Sequence, residues 1–104
     1  MMSRGNRPAR VDANHGEIVR ALRGLGAYVV DCSHVGAGFP DLLVWWRGKI
    51  VPIECKDGAK PPSARKLTAD QQVFHAEAAR HGCPVRMVTN ETEALAILGA
   101  RVGA

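Results

Sequence analysis

Two carboxylates and an ammonium stand where two apolar runs of this chain begin and end. The segment GFPDLLVWWRGKIVPIECKDG, residues 38–58, opens its first run at Asp41 and closes its second at Glu54 and Lys56, with Arg47-Gly48 between them. A two-residue turn at Arg47-Gly48 makes the runs a β-hairpin, with Gly48 available for a positive-φ turn position. Counting outward from that turn, Trp46 pairs with Lys49 and Asp41 falls opposite Glu54. Directly opposed residues share a face with Cβ atoms ~4.5–5.5 Å apart. Lys56, two residues on, joins that face, while Cys55 points to the other side. A three-residue turn would instead place Asp41 and Glu54 on opposite faces.

Opposed carboxylates repel one another. A divalent cation between them removes the repulsion, and an oxygen-only ligand set suits hard ions, Mg²⁺ or Mn²⁺. A neighbouring lysine can position or deprotonate a water, or stabilise charge growing on a phosphate. Carboxylates, hard metal and lysine together make a site for phosphodiester hydrolysis. The competing reading is that these residues simply end their strands in solvent, with Glu54 and Lys56 as a surface pair.

The elements that must position these groups follow from local patterns. Asp12 or Asn14 can cap a helix running to about Leu25, with Ile18, Val19, Leu22 and Leu25 as its apolar stripe and Gly24 and Gly26 as its stop. Residues 27–33, AYVVDCS, read as a strand, and HVGAGFP as a loop punctuated by Gly36, Gly38 and Pro40. Both faces of the hairpin strands are apolar, which predicts a sheet covered on both sides. Pro52 predicts that the second strand lacks a ladder partner on one side at that point. Residues 57–66 form a basic loop. A second helix follows, capped by Thr68 and stopped by Gly82, then a strand over residues 83–89. A last helix is capped by Thr89 or Asn90. The order predicts an α/β fold with a mixed central sheet flanked by helices.

Bulk properties narrow the function classes. The chain has 104 residues, 46% hydrophobic and 23% charged, which suits one domain with a modest, mainly aliphatic core. We expect a basic flexible tail over residues 1–11 and one domain over residues 12–104. Net charge is +4, which favours an anionic partner such as nucleic acid or serves solubility alone. No run of about 18 apolar residues predicts a membrane span, and the basic N-terminus lacks the apolar stretch of a signal peptide. Cys32, Cys55 and Cys83 show no C-x-x-C spacing and read as reduced thiols of a cytoplasmic protein, in a bacterial or phage-infected cell. No residue pattern calls for a small-molecule cofactor.

The arrangement FPD, then ECK at hairpin distance, resembles the signature of the PD-(D/E)XK nuclease superfamily. Pro40-Asp41 matches its first part and Glu54-Cys55-Lys56 its second. The longer stretch GAGFPDLLVWWRGKIVPIECKDG, with KLTADQQVFH after it, resembles the VRR-NUC branch. That branch has a G-x-PD turn, an E-x-K strand, a helix opening L-[ST]-x-x-Q, and a glutamate on an N-terminal helix, matched here by Glu17. The resemblance covers residues 17–88. It implies a restriction-endonuclease-like α-β-β-β-α-β core. It also implies Asp41, Glu54 and the Cys55 carbonyl as metal ligands, and Lys56 as the group orienting the nucleophilic water. Gln71 would support the site or the nucleic acid, and Glu17 would be an outer ligand or second-layer group. Two of these residues have a purely structural reading beside the functional one. Gln71 three residues after Thr68 is also a capping box, and Glu17 is also a first-turn acid favoured by the helix dipole.

His34 and His75 read as surface or packing residues. Of Trp45 and Trp46, mid-strand, at least one belongs to the core, and neither reads as a base-stacking platform. Arg4, Arg7 and Arg10 of the tail, with Lys60, Arg65 and Lys66 of the loop, are the candidate phosphate contacts. Nothing resembles a base-reading helix, so recognition of DNA shape is expected. The resemblance implies a structure-specific endonuclease akin to phage Holliday-junction resolvases, and a homodimer would suit a two-fold junction. Three alternatives remain: a general nickase or exonuclease of the same fold, a catalytically silent nucleic-acid-binding module, and a small basic interaction protein whose PD and ECK are coincidental.

Overall fold

Arg47 and Gly48 both adopt left-handed backbone, with φ of 48° and 80°. That is the geometry of a two-residue hairpin turn whose twist matches its strands. It fixes the register: β2 (Leu42–Trp46) and β3 (Lys49–Cys55) pair antiparallel with Trp46 opposite Lys49 and Leu42 opposite Ile53. The computed structural model from which these positions come describes residues 13–99. The tail expected over residues 1–11, with Arg4, Arg7 and Arg10, and the alternative cap Asp12 lie outside the described residues.

β1 (Tyr28–Asp31) pairs antiparallel with β2, and β4 (Arg86–Val88) pairs parallel with β3. The sheet is therefore mixed, in the order β1-β2-β3-β4. The β4 ladder reaches β3 only from Ile53 onward, so Pro52 lies just beyond it and costs no hydrogen bond there.

α1 (His15–Leu25) and α3 (Glu91–Ile97) lie together on one face. Ile18, Leu22, Leu42, Val44, Ile53 and Val88 are fully buried between these helices and the sheet. Each contributes about 1.5–3 kcal/mol of transfer free energy. Cys55 points into this core, as strand alternation requires. α1 ends at Gly26, whose φ of 107° suits a left-handed stop. Asn14 occupies the N-cap position but makes no cap hydrogen bond. Its amide instead donates to the carbonyls of Lys56 and Thr89, tying the start of α1 to the ends of β3 and β4. Asn90 caps α3 by accepting from Glu93 N–H.

The other sheet face departs from the expectation of full cover. α2 (Ala69–Arg80) covers only the end that carries Glu54, and none of its residues is buried. At the far end Tyr28, Trp45 and Ile50 share a cross-strand row and stay exposed, with Tyr28 and Trp45 in edge contact at 5.8 Å. Trp46, on the α1 side, packs against the core and donates from Nε1 to the Leu98 carbonyl. The second face is apolar, as its residues predict, but α2 carries too few apolar side chains to cover it.

α2 is seated by the loop before β2. Gly36, Ala37 and Gly38 are successively left-handed, and a Cβ on Gly38 would overlap the Asp70 carbonyl in the first turn of α2. Phe39 and Phe74 meet edge to face at 5.3 Å. We predict that Gly38→Ala costs ~3 kcal/mol, combining backbone strain and overlap. Gly36→Ala, with open space around its Cβ, should cost ~1 kcal/mol. Urea-unfolding midpoints measure both. Equal losses would show that α2 is not seated on Gly38.

Candidate active site

Asp41 sits where β2 gives out. Its carbonyl still accepts from Cys32 N–H at 2.7 Å, extending the β1 ladder by one step. On the other side Pro40 precedes it, and the Asp41 side chain takes over: Oδ2 accepts from Cys55 N–H at 2.9 Å. The Asp41 carboxylate is thereby held at the end of β3. In an extended strand a residue's C=O faces the same neighbour as its N–H, so the Cys55 carbonyl faces Asp41 as well.

Glu54 follows Ile53 on the opposite sheet face and is 2% exposed. A buried carboxylate must be paired and hydrogen-bonded to be tolerated. Gln71 Nε2 donates to Glu54 Oε2 at 2.9 Å, and Lys56 Nζ lies 3.8 Å from the same oxygen. Lys56 Nζ also donates to Gln71 Oε1 at 3.2 Å. That Gln71 oxygen accepts from Thr68 N–H at 3.0 Å, while Thr68 Oγ1 accepts from Gln71 N–H. The capping box and the site partner are therefore one residue, and both readings of Gln71 hold. The backbone N–H identifies the amide oxygen, so the amide nitrogen must face Glu54.

The structure thus brings Glu54, Lys56 and Gln71 into one hydrogen-bonded set, with Asp41 bonded to Cys55 between Glu54 and Lys56. Glu17 is not brought in: it is exposed in the first turn of α1, where the helix dipole favours an acid. Lys60 and Lys66 are exposed, but Arg65 is half-buried in a single 3-10 turn (Pro62–Arg65) with its Nε turned inward and unpartnered. His34 is exposed.

Sequence reasoning missed His15, and read His75 only as a surface or packing residue. His75 lies one turn after Gln71, a spacing that puts both on one face of α2. Burial pushes its imidazole below the usual range and the Lys56 ammonium adds to this. His15 is buried at the start of α1, with Nε2 3.0 Å from Asp31 Oδ2. Partial burial works to raise the Asp31 carboxyl. Hydrogen bonds from the Ser33 hydroxyl and N–H, and from His15, outweigh it and hold Asp31 low. No spacing in the sequence ties His15 to Asp31; only the pairing of α1 with the sheet does.

Asp41 precedes β2 and Glu54 lies near the end of the adjacent β3, with the Cys55 carbonyl next after Glu54 in the chain and Lys56 beside Glu54; carboxylate and carbonyl oxygens are the ligands that a hard divalent cation takes. No protein-family model and no curated protein matches the chain. A solved structure of a VRR_NUC domain does: it superposes with a TM-score of 0.62 at 25% sequence identity, covering 85% of this chain and 97% of that one. The shared architecture is the restriction-endonuclease-like one, a mixed four-stranded sheet flanked by helices. Nucleases of this fold usually use divalent metal ions, with DNA as the implied substrate. That likeness runs over nearly the whole of both chains, and the residues that resemble the PD-(D/E)XK signature gather at one end of the sheet, so the chain is similar to a VRR_NUC domain in fold and in the placing of those residues.

Proposed function

We propose that the protein is a metal-dependent, structure-specific DNA endonuclease acting on branched DNA such as four-way junctions. The observation that carries this reading is the set built on Glu54: a buried carboxylate, bonded to Gln71 and beside Lys56, one residue from the Cys55 N–H that holds Asp41. Asp41, Glu54 and the Cys55 carbonyl would hold Mg²⁺ or Mn²⁺; exposed Glu17 is left out of this set. The ion, when bound, supplies positive charge to the phosphate and acidifies a water. Lys56 orients that water. Gln71 fixes the directions of Glu54 and Lys56 and so positions them without itself reacting.

Lys60 and Lys66 would contact the phosphate backbone from the loop that follows β3, with the tail arginines Arg4, Arg7 and Arg10; inward-turned Arg65 is the weaker candidate. The nuclease unit is residues 12–104, and residues 1–11 are a basic arm. The protein acts in the cytoplasm. A four-way junction needs paired nicks, so a homodimer fits it, and the exposed row of Tyr28, Trp45 and Ile50 offers an apolar surface for a second copy. A monomer by light scattering, with junction DNA present, would remove the dimer from this account.

The first test is cleavage of labelled four-way junction, flap, duplex and single strand with Mg²⁺ or Mn²⁺. Junction cutting should dominate. Glu54→Gln should lower the rate by about a thousandfold, as expected for several kcal/mol of lost charge stabilisation. Tight metal-independent binding with no cutting would mark a silent binding module, and equal cutting of duplex and junction a general nickase.

Gln71→Ala should lower kcat by about 10–100-fold. The capping box is lost with it, at ~1 kcal/mol of stability. Comparison with Thr68→Ala separates the two effects, because that variant loses the cap hydrogen bond but keeps the amide. Equal kcat in both variants would reduce Gln71 to a helix cap.

Lys60→Ala with Lys66→Ala should weaken binding to all DNA sequences alike. The slope of log affinity against log salt should fall by about one for each phosphate that is no longer neutralised. An unchanged slope would remove the loop from the interface.

A further inference from the structure

The hard-cation set is not the only donor set at this end of the sheet. A ring nitrogen of His15, a carboxylate oxygen of Asp41 and the sulfur of Cys55 all lie within 4.8 Å of one another. Asp41 is common to both sets. The others differ in kind: imidazole and thiolate suit Zn²⁺ and similar borderline-soft ions, and suit Mg²⁺ poorly.

The surroundings of His15 are those of a metal ligand. Its Nε2 faces Asp31 Oδ2 at 3.0 Å, and Asp31 is itself held by Ser33. A carboxylate accepting from one ring nitrogen fixes the tautomer and leaves the lone pair on the other, the usual support of a zinc-bound histidine. The other nitrogen, Nδ1, is buried with no hydrogen-bond partner, on a side chain only 8% exposed. A polar atom buried in this way costs ~1–3 kcal/mol, and a cation accepting its lone pair would offset that cost.

The spacing is close to what an ion requires. Bonds of ~2.0–2.3 Å in a tetrahedron place ligand atoms ~3.3–3.8 Å apart. A contraction of about an ångström within the 4.8 Å cluster therefore suffices, and it is within reach of small side-chain rotations. His15 and Cys55 are buried and Asp41 is half-exposed, so a water as fourth ligand would approach from the Asp41 side. Binding displaces the thiol proton to solvent.

We propose that His15, Asp41 and Cys55 form a second metal site, selective for a thiophilic divalent ion such as Zn²⁺, whose occupation withdraws Asp41 from the hard-cation site and so inhibits cleavage. The antagonism rests on the nuclease reading above, whereas the site itself does not.

The test uses Co²⁺ as a spectroscopic stand-in for Zn²⁺, titrated into the metal-stripped full-length protein. A thiolate-to-cobalt charge-transfer band should grow to one equivalent and collapse on adding Zn²⁺. His15→Gln and Cys55→Ser should each weaken Co²⁺ binding by about tenfold or more. Glu54→Gln should keep the band, because Glu54 belongs to the other set. Far-UV circular dichroism checks that the variants fold, and absence of the band in the wild type overturns the site without recourse to any variant. A band that survives Cys55→Ser would place the ion elsewhere, at exposed Cys83 for instance, and overturn the proposal too.

In the Mg²⁺-supported cleavage assay, micromolar Zn²⁺ should suppress the wild type. It should leave His15→Gln at the rate that variant shows without zinc. Zinc inhibition of equal strength in both proteins would locate the inhibitory ion at the Asp41–Glu54 pair and overturn the proposed antagonism.

Discussion

A carboxylate buried on an aliphatic strand sets the terms for this end of the molecule. Glu54 is 2% exposed, and an isolated charge in such a place costs several kcal/mol. The chain meets that cost with Lys56 two residues along and with the amide of Gln71 from another element. The second partner decides where α2 goes. That helix buries no residue of its own, so the hydrophobic effect does little to position it. It is held by one amide, one aromatic contact and a glycine that lets its first turn approach. Docking of α2 and assembly of the site are therefore one event. An element with few buried apolar contacts sits at the low-stability end of a fold, and here that element completes the site.

Asp41 solves a different problem, again with a single residue in two roles. β2 must stop at Pro40, which offers no N–H, yet β1 and β3 on either side still present backbone donors. The Asp41 carbonyl takes the donor from Cys32 and its carboxylate takes the donor from Cys55. One residue thus closes two ladders, and its carboxylate becomes rigid as a consequence. A functional group held by backbone hydrogen bonds is more accurately placed than one held by side-chain packing alone. The same closure brings the carboxylate within reach of groups on both sheet faces, because the end of a strand belongs to neither.

The hairpin was legible because its information is local. Arg47-Gly48 can form a two-residue turn, the turn fixes the register, and the register carries through to Leu42 opposite Ile53. Pro52 was legible for the same reason, since a missing donor constrains its immediate neighbours. Gln71 was half legible: its spacing from Thr68 announced the capping box, but only the packed structure shows that the amide has a second pair of partners. Asn14 shows the converse, because a residue well suited to cap α1 directs its amide to the carbonyls of Lys56 and Thr89. The match of Glu17 to a family glutamate was a match of sequence position, and helix rotation leaves that side chain exposed. Cover of the second sheet face failed for a physical reason: an apolar strand face states a need for cover and says nothing about whether another element can supply it. His15 beside Asp31 could not be read at all, since it depends on how α1 is rotated against β1.

Charge balance bears on the proposed substrate. Asp41, Glu54 and Lys56 together carry one formal net negative charge, and a phosphodiester carries another, so the bare site would repel the substrate proposed for it. A divalent cation reverses the sign and makes the site complementary to a single phosphate. Lys56 alone cannot do this, because its ammonium has three donors and already directs one to Gln71 while facing Glu54 at 3.8 Å. The lysine keeps the buried carboxylate tolerable when no ion is bound. A divalent ion held by the carboxylates would share them with a stronger charge, and would leave the Lys56 donors for water and phosphate. On the proposed function, a metal requirement would follow from the burial of Glu54, which a single lysine can balance but cannot convert into a phosphate-binding surface.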